Sequence, residues 1–136
     1  MVDVTVTAAE VLPGTDTQYT HGVAGEAITG GQTVYLDSTT STYKLADADD
    51  SAATATVVGI AMNTAAANGR LTIATSGSLD PGFTVTVGQI YVQSGTAGGI
   101  APVADLATSD RVSILGVGAS ATSLTLSIKN TGIIFA

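Results

Sequence analysis

The chain has no cysteine and no tryptophan, one histidine, two phenylalanines and four tyrosines among 136 residues. Without thiols there are no disulfides, no thiolate metal ligands and no cysteine nucleophile. With His21 alone, a His/Cys metal site cannot be assembled within one chain. Basic residues are also scarce: four Lys+Arg stand against eleven Asp+Glu, a net charge of −7. Neutralising phosphates needs clustered Lys and Arg, so nucleic acid and anionic membrane surfaces are not expected partners. Charged residues make up 11% of the chain, against the usual ~25%. No stretch of about 18 uncharged apolar residues is present to span a bilayer. The opening MVDVTVTAAEVLPG lacks the basic start and long apolar run of a secretory signal. The expectation is a soluble protein made in the cytoplasm.

What is present is small and apolar. Hydrophobic residues reach 45% with only 4% aromatic, mostly Ala, Val, Ile and Leu, a content too rich in β-branched residues for disorder. Small side chains pack in thin layers, which favours sheets in close contact. Residues 25–38, GEAITGGQTVYLDS, are followed fifty-seven positions on by residues 82–94, GFTVTVGQIYVQS. Gly25, Thr29, Gly31 and Gln32 match Gly82, Thr86, Gly88 and Gln89 at that constant offset. One residue is then read as dropped, setting Val34-Tyr35-Leu36 against Ile90-Tyr91-Val92. VVGIAMN (57–63) matches ILGVGAS (114–120), aligning Gly59 with Gly116, and RLTIATSG (70–77) matches SLTLSIKNTG (123–132) after a shorter connection.

Each unit thus runs from a strand into a Gly-Gln turn, then a strand around a Tyr, an acidic loop, a strand containing glycine and a closing strand. The turn glycine points to a positive φ, and the strand glycine to a bulge or close backbone approach. Two copies are too few for a solenoid. They predict a single pseudo-symmetric all-β barrel or sandwich, each half covering the other's apolar face. The organisation is an N-terminal arm and first strand over 1–24, then a β-domain over 25–136 with repeats at 25–77 and 82–132. Val2, Val4 and Val6 alternate with polar residues as in a half-buried strand, and VLPGTDTQYTHG reads as an extended continuation. MNTAAAN (62–68) and VADLATSD (103–110) have enough helix formers for a turn or two.

Chemistry-bearing residues are few. His21 lies in a polar stretch with no second histidine, where an incidental surface role is the default; a trimer could gather three copies on its axis. The run ADADD (46–50) lacks the D-x-[DN]-x-[DN]-G spacing and closing glutamate of an EF-hand and reads as a solvated loop. GGQT has neither the lysine nor the following helix of a P-loop. No catalytic residue, metal site or cofactor is expected. The closing Ile133, Ile134 and Phe135 need cover, from the chain's own core or from a neighbouring subunit.

GEAITGGQTVYLDS, YKLADAD, VVGIAMN and GRLTIATSG resemble the small capsid decoration, or cement, proteins of tailed bacteriophages. That family shares the order G-x-x-I-x-x-G-x-x-V-Y-x-D, K-L-A-D-A, G-I-A and V-x-x-x-G. TVGQIYVQS, GGIAPVADL and VSILGVGAS are similar to its C-terminal region, so the resemblance covers roughly residues 22–132. It implies a compact β-tulip domain and no enzyme. Such a protein is made in the host cytoplasm, sits on the outer capsid surface of the virion, and braces the major capsid protein as homotrimers, formed before or only upon capsid binding. On this reading the arm lies on the capsid through Val2, Val4, Val6, Val11, Leu12 and Tyr19, while Ile133, Ile134 and Phe135 form the subunit interface. The competing expectation is an extracellular adhesive or fibre module, such as a head fibre, tail-tip or surface-layer domain.

Overall fold

A computed structural model describes residues 3–135. It is an all-β single domain whose strands form one curled antiparallel half-barrel. The strands are β1 (Val11–Pro13), β2 (Gln18–Val23), β3 (Thr33–Asp37), β4 (Thr42–Leu45), β5 (Gly59–Ala61), β6 (Arg70–Pro81), β7 (Ile90–Gln93), β8 (Ile100–Pro102), β9 (Arg111–Ser120) and β10 (Ser123–Ile134). The sheet order is β4-β3-β5-β6-β10-β9-β7-β8, with β1 and β2 also paired to β6. The first half, β4-β3-β5-β6, reappears in reverse as β10-β9-β7-β8. The two join through antiparallel pairing of β6 with β10, Leu79 opposite Leu124 and Leu126 opposite Gly77.

The repeat is most exact in its turns. Gly31 has φ +91° and Gly88 φ +79°, the left-handed region that glycine enters without a steric penalty. Gln32 N–H donates to Thr29 O at 3.1 Å, as Gln89 N–H does to Thr86 O. Gly31 N–H donates to Ala61 O at 2.7 Å, and Gly88 N–H to Gly118 O at 2.8 Å. At the two strand glycines, Gly59 and Gly116, a Cβ would strike the carbonyl oxygens of Ala74 and Thr125. Both are close backbone approaches, as expected.

Two alignments shift. No residue is dropped after the Gly-Gln turn: Val34 lies opposite Leu45 and Gly59, and Tyr91 opposite Pro102 and Gly116. Tyr91 therefore takes the place of Val34, and Tyr35 that of Val92. Matching tyrosine to tyrosine displaced the register by one residue, which turns a side chain to the other face of a strand. In the closing strands Ala61 faces Ile73 and Gly118 faces Leu124, so Leu124 corresponds to Ile73 and not to Leu71. The longer first connection, 62–69, is no helix. Ile28 and Ala65 exchange backbone hydrogen bonds of 2.8 Å across it, and Asn68 turns the chain at φ +69°. Within 103–110 only Val103–Asp105 forms a 3-10 turn.

The N-terminal segment departs most from expectation. Residues 3–7 form no strand; Val4 N–H bonds Ile100 O at 2.9 Å and Thr7 N–H bonds Gly82 O at 2.8 Å. A 3-10 turn at Ala8–Glu10 follows. Pairing then runs along β6, Val11 opposite Pro81 and Val23 opposite Arg70. Ala74 has Tyr19 on one side and Ile60 on the other, while Leu79 has Pro13 and Leu124. A residue paired twice presents both its edges, so the arm is an integral strand of the sheet.

Candidate interaction surface

Val2 lies outside the described residues. The structure separates the remaining arm candidates. Val4 packs on the main core, and Val6 is half-buried with its Cγ1 over Gly31 and Gly82. Val11 is buried. These three face the chain's own interior and cannot be offered to a capsid while the arm stays in the sheet. Leu12 and Tyr19 are exposed. Leu12 also walls an open groove of about 490 Å³, shared with Thr5, Glu10, Phe83 and Thr122. Alternation in the sequence located an extended segment but could not say that its own sheet would take one of its faces.

Ile133, Ile134 and Phe135 are all exposed, so the chain's own core does not cover them. They are nevertheless held: Ile134 pairs with Arg111, and Phe135 N–H bonds Asp110 O at 2.7 Å. Phe135 O in turn accepts from Ser109 N–H at 2.8 Å. An apolar end fixed on a β-ladder loses little further freedom when a partner covers it.

His21 is exposed on β2 with Nδ1 3.2 Å from Thr72 Oγ1, beside a shallow groove shared with Val23 and Arg70. In the acidic loop, Asp49 N–H donates to Asp47 Oδ1 at 3.2 Å. Partial burial, and then the hydrogen bond with the Asp49 side chain, raise the Asp47 carboxyl to about 6. Among the described residues no group of three or more His, Asp or Glu is placed to hold a metal ion. The same loop instead ties the halves together. Ala48 N–H bonds Ser94 O at 3.1 Å and Ala48 O accepts from Arg111 N–H at 2.9 Å.

Sequence reasoning passed over the buried polar joint between the halves. Thr33 and Gln93 have no exposed surface, and the Thr33 hydroxyl donates to Gln93 Oε1. Gln93 Nε2 donates to Ala46 O at 2.9 Å and to Ser94 O at 3.1 Å. Nothing in the one-dimensional pattern marks Gln93, since its register mate in the first half is Leu36. Also passed over are Val87, Ile90 and Val117, which are apolar and exposed beside the second turn.

No protein-family model matches this chain, and a search of curated proteins finds no match.

Proposed function

We propose that this protein decorates the outer surface of a tailed-bacteriophage capsid and stabilises it by bridging major capsid protein subunits. The resemblance of segments 22–132 to capsid decoration proteins motivates the reading. The observation that carries it is one continuous hydrogen-bonded sheet with apolar side chains at separate exposed positions. Leu12 and Tyr19 lie on the strand along β6, and Ile133, Ile134 and Phe135 on the far end of the β9–β10 ladder. Bridging two subunits requires separated contact patches on a body that does not deform, and many equivalent copies reinforce one another through effective concentration. The capsid-facing residues are accordingly narrowed to Leu12 and Tyr19 from the arm, with Ile133–Phe135 meeting a neighbouring copy or capsomer.

The test uses expanded, undecorated heads of the phage whose genome carries the gene. The protein is expected to co-sediment with the heads and to raise their disruption temperature. Leu12→Ser with Tyr19→Ser should weaken retention while the isolated protein stays folded. Absence of binding by the wild-type protein at saturating concentration would refute the proposal.

A further inference from the structure

The two halves stack head to tail, and one end of the stack is open. Ile60 and Ala74 of the first half share a core with Val85, Tyr91, Leu115 and Leu124 of the second. The first-half counterparts of those four, Ile28, Val34, Val58 and Ile73, belong to a separate core. One face of the first half is therefore packed on the opposite face of the second. Among the described residues, the second half's own copy of the covered face is left partly open. Thr33 and Ile60 are 0% exposed, whereas their counterparts Ile90 and Val117 are 37% and 43% exposed. Gly30, which lies beside Ala8 of the N-terminal segment, is buried, and its counterpart Val87 is 67% exposed. A Cβ on Gly31 would strike Val6, but one on Gly88 meets nothing within 4 Å.

The intact joint indicates what would fit the open one. Thr33 is covered by Gln93, polar against polar. At the open face the position of Thr33 is Ile90, and the register mate of Gln93 is Leu36: Gln93 lies opposite Ile100 as Leu36 lies opposite Tyr43. Leu36 is 47% exposed. Both members of the pair change from polar to apolar, and both are partly exposed, Leu36 on the first half and Ile90 on the second.

We propose that the Val87–Ile90–Val117 face receives the first half of another copy of this chain, with Leu36 of one copy seated on Ile90 of the next. The contact continues between chains the head-to-tail order found within one. Ile28, Val34 and Ile73 on the first half's corresponding face are already buried, with Ala65 of the connection 62–69 packed among them, so the contact is confined to Leu36 and its exposed surroundings and forms at high local concentration. It uses two different surfaces, so it closes into a ring or runs on as a chain. It does not depend on the decoration reading and is tested without a capsid.

The native chain has no cysteine, which makes cross-linking clean. Leu36→Cys and Ile90→Cys variants are prepared, with Thr122→Cys as an exposed control, and oxidised at high concentration. Mixing Leu36→Cys with Ile90→Cys should give disulfide dimer several-fold faster than either variant alone, or than Ile90→Cys mixed with the control. Val87→Lys, at the most exposed position of the face, should abolish concentration-dependent association in sedimentation velocity without changing the melting temperature. Equal rates in the mixture and the control would overturn the contact. Fastest cross-linking by Ile90→Cys alone would also overturn it, because that result means like faces meet.

Discussion

Alanine at Gly88 adds one methyl group to a turn whose φ is +79° and whose Cβ direction is empty to 4 Å. The cost there is conformational. A left-handed L-residue loses about 1–2 kcal/mol, and the stiffer unfolded chain returns about 0.4–1 kcal/mol, leaving a net loss of about 1 kcal/mol. Alanine at Gly31 enters the same turn with the same hydrogen bonds, but the methyl strikes Val6 and lies 3.1 Å from Val11 Cγ2. Overpacking adds about 1–3 kcal/mol, for a total of about 2–4 kcal/mol. In a domain of this size each kcal/mol shifts the melting temperature by about 3–5 °C. Urea titration followed by far-UV circular dichroism, with thermal melts alongside, measures both variants. Val6→Ala in the Gly31→Ala background makes room for the methyl, so the double variant should lose less than the sum of the single losses. Equal losses at Gly31 and Gly88 would refute the packing of the N-terminal segment over the first turn. A neutral Gly88→Ala would refute the need for a positive φ at the second.

Gln93→Leu strands the buried Thr33 hydroxyl and should cost about 2–3 kcal/mol in urea unfolding. Adding Thr33→Val removes the stranded partner and should recover much of that loss. Asp47 holds its proton in the fold up to about pH 6, against the ordinary aspartate value of 3.8. Its contribution is therefore fully present below about pH 4 and is lost as pH rises towards 6. Asp47→Asn should remove this slope and stabilise the protein at pH 7, by about 1 kcal/mol or less because the side chain is largely solvated. Denaturant midpoints of both proteins from pH 4 to 7 read the difference. Ile133→Ser with Ile134→Ser should leave the unfolding free energy within about 1 kcal/mol of wild type, since both side chains are more than half exposed. A larger loss would mean that these side chains are part of the folded core.

The all-β class, the two units and both kinds of special glycine were legible because each follows from local geometry. A turn that needs φ near +90° retains glycine whatever surrounds it, and so does a strand position pressed against the carbonyl of Ala74 or Thr125. The register of the tyrosines was not legible, because Tyr35 and Tyr91 look alike in sequence and differ only in the face their strands present. The arm was legible as an extended segment. Its place along β6 was not, since Val11 and Leu12 are both apolar and only pairing with Pro81 and Asp80 sends one inward and the other outward. The Gln93 joint was invisible for a related reason: a buried polar residue is identified by its partners, and those lie sixty residues earlier at Thr33 and forty-seven earlier at Ala46.

The same distinction accounts for where the two units differ. Two similar units stacked head to tail cannot occupy equivalent surroundings, because one face is covered in the first and open in the second. Positions governed by backbone geometry common to both units, the turn glycines Gly31 and Gly88 and the strand glycines Gly59 and Gly116 pressed on a neighbouring strand, stay identical. Positions governed by a neighbour diverge: buried Thr33 against exposed Ile90, buried Gln93 against exposed Leu36, buried Ala74 against exposed Thr125. Burial alone would place the polar member of each pair outside. Ala74 and Thr125 obey this, whereas Thr33 with Ile90 and Gln93 with Leu36 are reversed, with the polar residue inside and the apolar one in solvent. For Thr33 and Gln93 the reversal is resolved by the hydrogen bond between them. For Ile90 and Leu36 nothing among the described residues resolves it, and a contact between copies would.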